Sequence, residues 1–152
     1  MEKYYYGYEE FASDAGALVH KIKDFDPDTL LAVARGGLTL GHFMAQAMDT
    51  RRLFALNSIH YDKEKKLDTL HVFNIPDLET ARRVLIVDDI IDSGETLREV
   101  LRLLKERFPH AEFKLATIFY KPTAVIEADY TLKKAHEWID FFWEVDLIEP
   151  RG

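Results

Sequence analysis

Between Val84 and Thr96 the chain reads Val-Leu-Ile-Val-Asp-Asp-Ile-Ile-Asp-Ser-Gly-Glu-Thr, and this stretch holds its densest group of chemically capable side chains. Two adjacent carboxylates, Asp88 and Asp89, follow four apolar residues, and Asp92 comes four residues after the first of them. Ser93-Gly94 then reads as a turn, with Glu95 and Thr96 at the start of a helical pattern. Unpaired amides, the positive end of a helix dipole and two hydroxyls suit a phosphate group. Carboxylates nearby can accept hydrogen bonds from sugar hydroxyls or hold magnesium, which takes few protein ligands and keeps several waters. The combination suits a phosphorylated sugar with a metal. The plainer alternative is a strand that ends in aspartates before a helix capped by Ser93 or Glu95.

The elements that must position these groups follow from hydrophobic spacing. Val84 to Val87 predicts a buried strand, and Leu97, Val100, Leu101 and Leu104 predict a helix from Thr96 to Phe108. Upstream, Glu9 to Lys23 reads as an amphipathic helix and Leu30 to Ala34 as a strand ended by Arg35-Gly36-Gly37. Leu38 to Met48 resumes a helical pattern, Leu53 to Ile59 reads as a strand, and Thr69 to Phe73 as a strand returning across the charged stretch Asp62 to Asp68. Downstream, Phe113 to Tyr120 is a strand closed by Lys121-Pro122, and Tyr130 to Ala135 a last strand before an aromatic tail. Strands alternating with helices favour an α/β fold, a mainly parallel sheet covered on both faces. In such sheets ligands sit at the carboxyl ends of the strands. Three loops, Arg35-Gly36-Gly37, Asp88 to Thr96 and Lys121-Pro122, are therefore expected to converge on one crevice.

A chain of 152 residues, 47% hydrophobic and 31% charged, without repeat or Pro/Gly/Ser linker, reads as a single domain over 1–152. Its net charge of −7 argues against a nucleic-acid partner, because such binding needs a basic face, but leaves a small anionic substrate open. With no cysteine, disulfides, thiolate metal sites and thiol nucleophiles are excluded. The apolar runs are too short to span a bilayer and the first residues are not of signal-peptide type, so a cytoplasmic protein is expected. His20, His42, His71, His110 and His136 show no metal-ligand spacing.

The order apolar strand, Asp-Asp, two apolar residues, Asp, Ser-Gly, variable, Thr resembles the phosphoribosyl-diphosphate motif of type I phosphoribosyltransferases. The resemblance implies that Asp88 and Asp89 lie along the ribose 2- and 3-hydroxyls. It also brings them, Asp89 first, to a magnesium ion directly or through water. Asp92 would face N7 of a purine as the catalytic, proton-handling group, and Ser93, Gly94, Glu95 and Thr96 would wrap the 5-phosphate. Ala34-Arg35-Gly36-Gly37 resembles the loop that receives the leaving diphosphate. The family often carries a strained peptide before the basic residue and a hydroxyl residue where this chain has Ala34. Ile118 to Pro122 with Trp138-Ile139-Asp140 resembles the base-recognition region of the 6-oxopurine branch, typified by bacterial xanthine-guanine enzymes. Ile90, Lys121, Trp138 and Ile139 are the positions it assigns to the base, with Lys121 donating to the 6-oxygen. A lone Trp otherwise more often fills a core. His60-Tyr61 sits where the family has its mobile hood, usually entered by Ser-Tyr, and Lys63, Lys65 and Lys66 would draw in an anion or simply be solvated.

The resemblance thus implies the type I phosphoribosyltransferase fold with a small hood and base-recognition region. It implies purine salvage from phosphoribosyl diphosphate and a 6-oxopurine with magnesium, by a homodimer or homotetramer. Two alternatives stay open on the same fold: transfer to another base, and a nucleotide-binding regulator without catalysis.

Overall fold

A computed structural model describes residues 2–61, 69–145 and 147. In chain order its elements are β1 (Lys3–Tyr6), α1 (Tyr8–Lys21), a 3₁₀ turn (Ile22–Asp24), β2 (Thr29–Ala34), α2 (Leu38–Ala47), β3 (Leu53–Tyr61) and β4 (Thr69–Phe73). There follow β5 (Arg83–Ile91), α3 (Glu95–Arg107), β6 (Glu112–Tyr120), β7 (Lys133–Lys134) and β8 (Trp138–Phe141). Six strands make one sheet in the order β4-β3-β2-β5-β6-β7, parallel except where β4 turns back antiparallel on β3. β2 and β5 are central, which is why their apolar runs are continuous rather than alternating.

Helices cover both faces. Leu18 of α1 and Leu40 and Met44 of α2 share one core with Leu30, Leu85 and Val87. Leu97, Val100 and Leu104 of α3 share the other with Leu31, Val33, Leu56 and Ile86. Each helix repeats its apolar residues at three- and four-residue steps, so one stripe meets the sheet. Among the described residues no helix is long and apolar enough to cross a membrane.

Three departures from the expected elements bear on function. The strand expected over Val84 to Val87 continues to Ile91, because β6 supplies partners that far (Asp88↔Thr117, Ile91↔Tyr120), so the acid pair lies within the strand. The strand expected over Tyr130 to Ala135 shrinks to Lys133–Lys134, with one isolated bridge from Tyr130 to Ala116. The Tyr-rich start and the aromatic tail pair with each other as a parallel two-stranded sheet, β1 with β8. Tyr6 anchors that sheet: its ring meets Phe11, Phe119, Phe141 and Trp143 edge-on, and its hydroxyl donates to Asp14 at 2.6 Å. Burial and the Asp14 hydrogen bond push the Tyr6 phenol well above its usual range, so it stays a donor. The Lys133 ammonium pairs with Asp14 at 2.9 Å and with Glu10, tying β7 to α1.

The turn between β2 and α2 lies directly on β5. A Cβ on Gly37 would land on the Val87 carbonyl oxygen and come within 3.1 Å of the Asp88 Cα, both backbone atoms that cannot swing away. Gly16, in the middle of α1, has open space around it. Gly37→Ala should therefore destabilise the protein by about 1–3 kcal/mol, as overpacking does. Gly16→Ala should stabilise it by about 0.5–1 kcal/mol, the helix-interior difference between the two residues. Urea denaturation midpoints of the two variants check both signs.

Candidate functional site

The floor of the site is the end of β5. Asp88 and Asp89 are half-buried there, with Asp89 N–H donating to Asp88 Oδ1 at 2.8 Å. Loss of solvent, then the charge of Asp89, raises the Asp88 carboxyl well above the ordinary aspartate range. Asp89 is raised as well, chiefly by loss of solvent, with Glu144 adding like charge. A Cβ on Gly36 would sit 2.7 Å from Asp89 Oδ2, the end of a side chain rather than backbone. The β2–α2 turn and the acid pair therefore touch, as a shared crevice requires.

Side-chain alternation slips by one at this point. Val84 and Ile86 face the α3 core and Leu85 and Val87 the other, yet Ile90 packs with the second core and Ile91 with the first. In β6, Ile118 and Phe119 face the same core in succession. The slip carries Ile90 to the same face of the sheet as Ile139 and Phe141.

Two cavities meet here. The first, about 260 Å³, is lined by Val33, Ala34, Gly36 and Ser58, by Asp88 to Asp92, and by Ser93, Gly94, Thr96 and Leu97. Gly94 has φ +84°, a left-handed conformation natural to glycine, and the Ser93 carbonyl accepts from Val125 N–H at 2.8 Å. Ser93 Oγ accepts from Glu95 N–H at 3.2 Å, and the first helical bond is Arg98 N–H to Gly94 O. The amides of Thr96 and Leu97 thus have no carbonyl of α3 to bond, as at any helix start. The second cavity, about 180 Å³, has Asp89, Ile90 and Asp92 on one side and Lys121, Trp138 and Ile139 on another, completed by Glu137, Phe141 and Glu144. Lys121 N–H is held by the Ile91 carbonyl at 2.9 Å, and its ammonium pairs with Asp92 Oδ1 at 2.9 Å. Asp89, Ile90 and Asp92 are common to both cavities and form the partition between them.

Not every expected residue lines these spaces. Arg35 and Glu95 are exposed at the rim, and Gly37 is buried beneath the turn. The Ala34–Arg35 peptide, expected to be strained, is cis. Pro122 lines a separate cavity beside Lys121, so the third loop enters the crevice through its lysine alone. Trp138 is 59% exposed, which rules out core filling. His60 is exposed on β3 opposite Leu70, and Tyr61 pairs with Thr69. Lys63, Lys65 and Lys66 lie outside the described residues. Ser58, Glu137 and Glu144 also line the cavities, although a serine in a strand or a glutamate in a tail carries no distinguishing spacing.

Among the described residues no cluster of three or more His, Cys, Asp or Glu could hold a metal ion alone. A pair of half-buried carboxylates beside a cavity fits magnesium, which relies on one or two carboxylates, water and substrate oxygens. It does not fit a dedicated protein cage.

A sheet with the acid pair in the last residues of a central strand, a glycine turn against it and a phosphate-type helix start beyond it is the arrangement of the phosphoribosyltransferase class. Residues 8–149 match the phosphoribosyl transferase domain family, and the chain belongs to it. It is 31% identical to the xanthine-guanine phosphoribosyltransferase of Idiomarina loihiensis over 126 residues, 80% of this chain and 74% of that protein. Among solved structures it resembles the Helicobacter pylori xanthine-guanine-hypoxanthine phosphoribosyltransferase, with 40% identity, TM-score 0.90 and 96% of each chain covered. It also resembles a purine phosphoribosyltransferase from Pyrococcus horikoshii, with 29% identity, TM-score 0.82 and all of each chain covered.

The raised carboxyls make a stability statement. An acid whose folded pKa lies above its unfolded value stabilises the fold when protonated, and that contribution is lost as pH rises through the folded value. Asp88→Asn keeps the acceptor for Asp89 N–H and removes the poorly solvated charge. In metal-free buffer at neutral pH it should stabilise the protein by about 0.5–2 kcal/mol, in the range of single stabilising changes. The gain should shrink as pH falls toward the ordinary aspartate value of about 3.9. Urea denaturation of both proteins across that range measures it.

Proposed function

We propose that this chain transfers the 5-phosphoribosyl group from phosphoribosyl diphosphate to N9 of a 6-oxopurine, releasing diphosphate. The observation that carries the proposal is the Lys121–Asp92 pair at 2.9 Å on the wall of the second cavity. In a 6-oxopurine the 6-oxygen and N7 lie side by side on one ring edge. An ammonium offers only donors and a carboxylate only acceptors, so the pair matches an oxygen beside a protonated nitrogen. The names of the relatives support the same substrate class.

The roles follow from position. Asp88 and Asp89 hold the ribose hydroxyls, and the Ser93–Thr96 turn, with Gly94 and Glu95, holds the 5-phosphate. The turn of Ala34, Arg35, Gly36 and Gly37 receives the diphosphate, and Ile90, Trp138 and Ile139 enclose the base. The bond from C1 of ribose to the diphosphate oxygen breaks with its electrons on that oxygen. The N9 lone pair forms the new bond to C1, and the N7 proton passes to Asp92. Asp92 also faces the cationic sugar, so its charge stabilises the transition state more than the ground state. Asp89, with Asp88, would hold magnesium, which when bound offsets charge on the departing diphosphate. The same reading makes the protein a cytoplasmic homodimer or homotetramer, and light scattering in solution tests the assembly.

A panel of guanine, xanthine, hypoxanthine and adenine with phosphoribosyl diphosphate and magnesium tests the function. The 6-oxopurines should react, whereas adenine places a donor against Lys121 and should be rejected by as much as about 10⁴–10⁵. Adenine used as well as guanine would exclude this role for Lys121. Lys121→Met should erode the preference for 6-oxopurines while sparing phosphoribosyl diphosphate binding. Asp92→Asn, an isosteric change at an exposed position, should lower kcat by about 10²–10⁴, the usual share of a general acid or base. Steady-state kinetics of both variants check this, and wild-type turnover in Asp92→Asn would assign the N7 proton to another group.

A further inference from the structure

The geometry points to Ser58 as a substrate-binding residue whose hydroxyl holds the diphosphate of phosphoribosyl diphosphate, an inference that rests on the function proposed above. β2 and β3 run parallel with Val33 opposite Leu56 and Ala34 opposite Asn57, so Ser58 stands one residue past their last paired position. It therefore lies level with the start of the Arg35-Gly36-Gly37 turn. Side chains two apart on a strand share a face. Leu56 belongs to the core beneath α3, and Ser58 continues that row at the open end of the sheet. Half-buried there, it forms part of the wall of the first cavity.

The layout of that cavity assigns the ligand. In the sheet β3 and β2 lie on one side of β5, and the turn that follows β5 is bonded on the other, through the Ser93 carbonyl to Val125 beyond β6. A ribose seated on the acid pair with its 5-phosphate in that turn directs its 1-diphosphate to the opposite flank. Four residues line that flank: Val33, Ala34, Gly36 and Ser58. Three of them have no side-chain hydrogen-bonding group. Ser58 alone does, and a hydroxyl is a suitable donor to a phosphoryl oxygen. Arg35, the cation of the same turn, is exposed and does not line the cavity, so beside the backbone of the turn Ser58 adds the one side-chain donor on this flank.

The test uses calorimetric binding of magnesium diphosphate and, separately, of ribose 5-phosphate to the full chain. Ser58→Ala should weaken diphosphate binding about tenfold, the low end for a lost hydrogen bond to a charged group, and leave ribose 5-phosphate binding unchanged. In turnover, KM for phosphoribosyl diphosphate should rise while KM for the base stays put. Ser58→Thr and Ser58→Val, equal in shape and suited to a strand, provide a second comparison that tolerates any loss of stability in the alanine variant. The threonine variant should bind diphosphate as wild type does, and the valine variant should not. Equal diphosphate binding by the Ser58→Thr and Ser58→Val variants, or a parallel loss of both ligands in Ser58→Ala, would overturn the assignment. A wild-type protein that binds diphosphate through Ser58 yet transfers ribose phosphate to no purine would contradict the proposed function and leave the Ser58 contact standing.

Discussion

Gly37 has no room for a side chain because the backbone of β5 lies against it, Gly36 beside it faces the Asp89 carboxylate, and the geometry of the site depends on that contact. It sets a backbone turn from β2 against the two carboxylates of the neighbouring strand. β2 and β5 are adjacent parallel strands, so the loops at their carboxyl ends already lie side by side. The absence of two Cβ atoms lets them meet, so a group bound to the turn and a group bound to the carboxylates are neighbours. In the proposed reaction those groups are the two ends of the bond that breaks. Holding them in one geometry is a large part of what a transferase must do.

The same confinement has an electrostatic consequence. Loss of solvent raises both carboxyls of the acid pair, which means the ionised pair is held at a cost to the fold. In the proposed reaction a sugar and a cation bind at that place, and they would relieve the cost. Asp92 differs: it is exposed, paired with Lys121, and belongs to both cavities. The partition of Asp89, Ile90 and Asp92 therefore separates a polar space suited to phosphates from a smaller space walled by Trp138 and Ile139.

The central strands and helices, and the acid motif with them, were legible in the sequence because they follow simple periods. An apolar run, a turn of glycines and a helical stripe each have one ready reading. What was not legible breaks those periods or is too short to have one. The slip in alternation falls where the register of β5 and β6 passes over Asp89, and it places Ile90 beside Ile139 and Phe141 only in three dimensions. β1 and β8 are four residues each and find one another from opposite ends of the chain. Trp138 is exposed on that small sheet, where composition alone favours burial. Ser58 carries no signal within β3 except its neighbour across the sheet, which only the register of β2 and β3 supplies.

The central claim is that one bound nucleotide spans the partition, its phosphate in the first cavity and its base in the second. A crystal structure with guanosine 5-monophosphate measures this directly. The phosphate should lie on the amides of the Ser93–Thr96 turn, the ribose hydroxyls on Asp88 and Asp89, and the 6-oxygen on Lys121 with N7 toward Asp92. A phosphate seated on the Arg35-Gly36-Gly37 turn, or a base outside the space between Ile90 and Trp138, would contradict it.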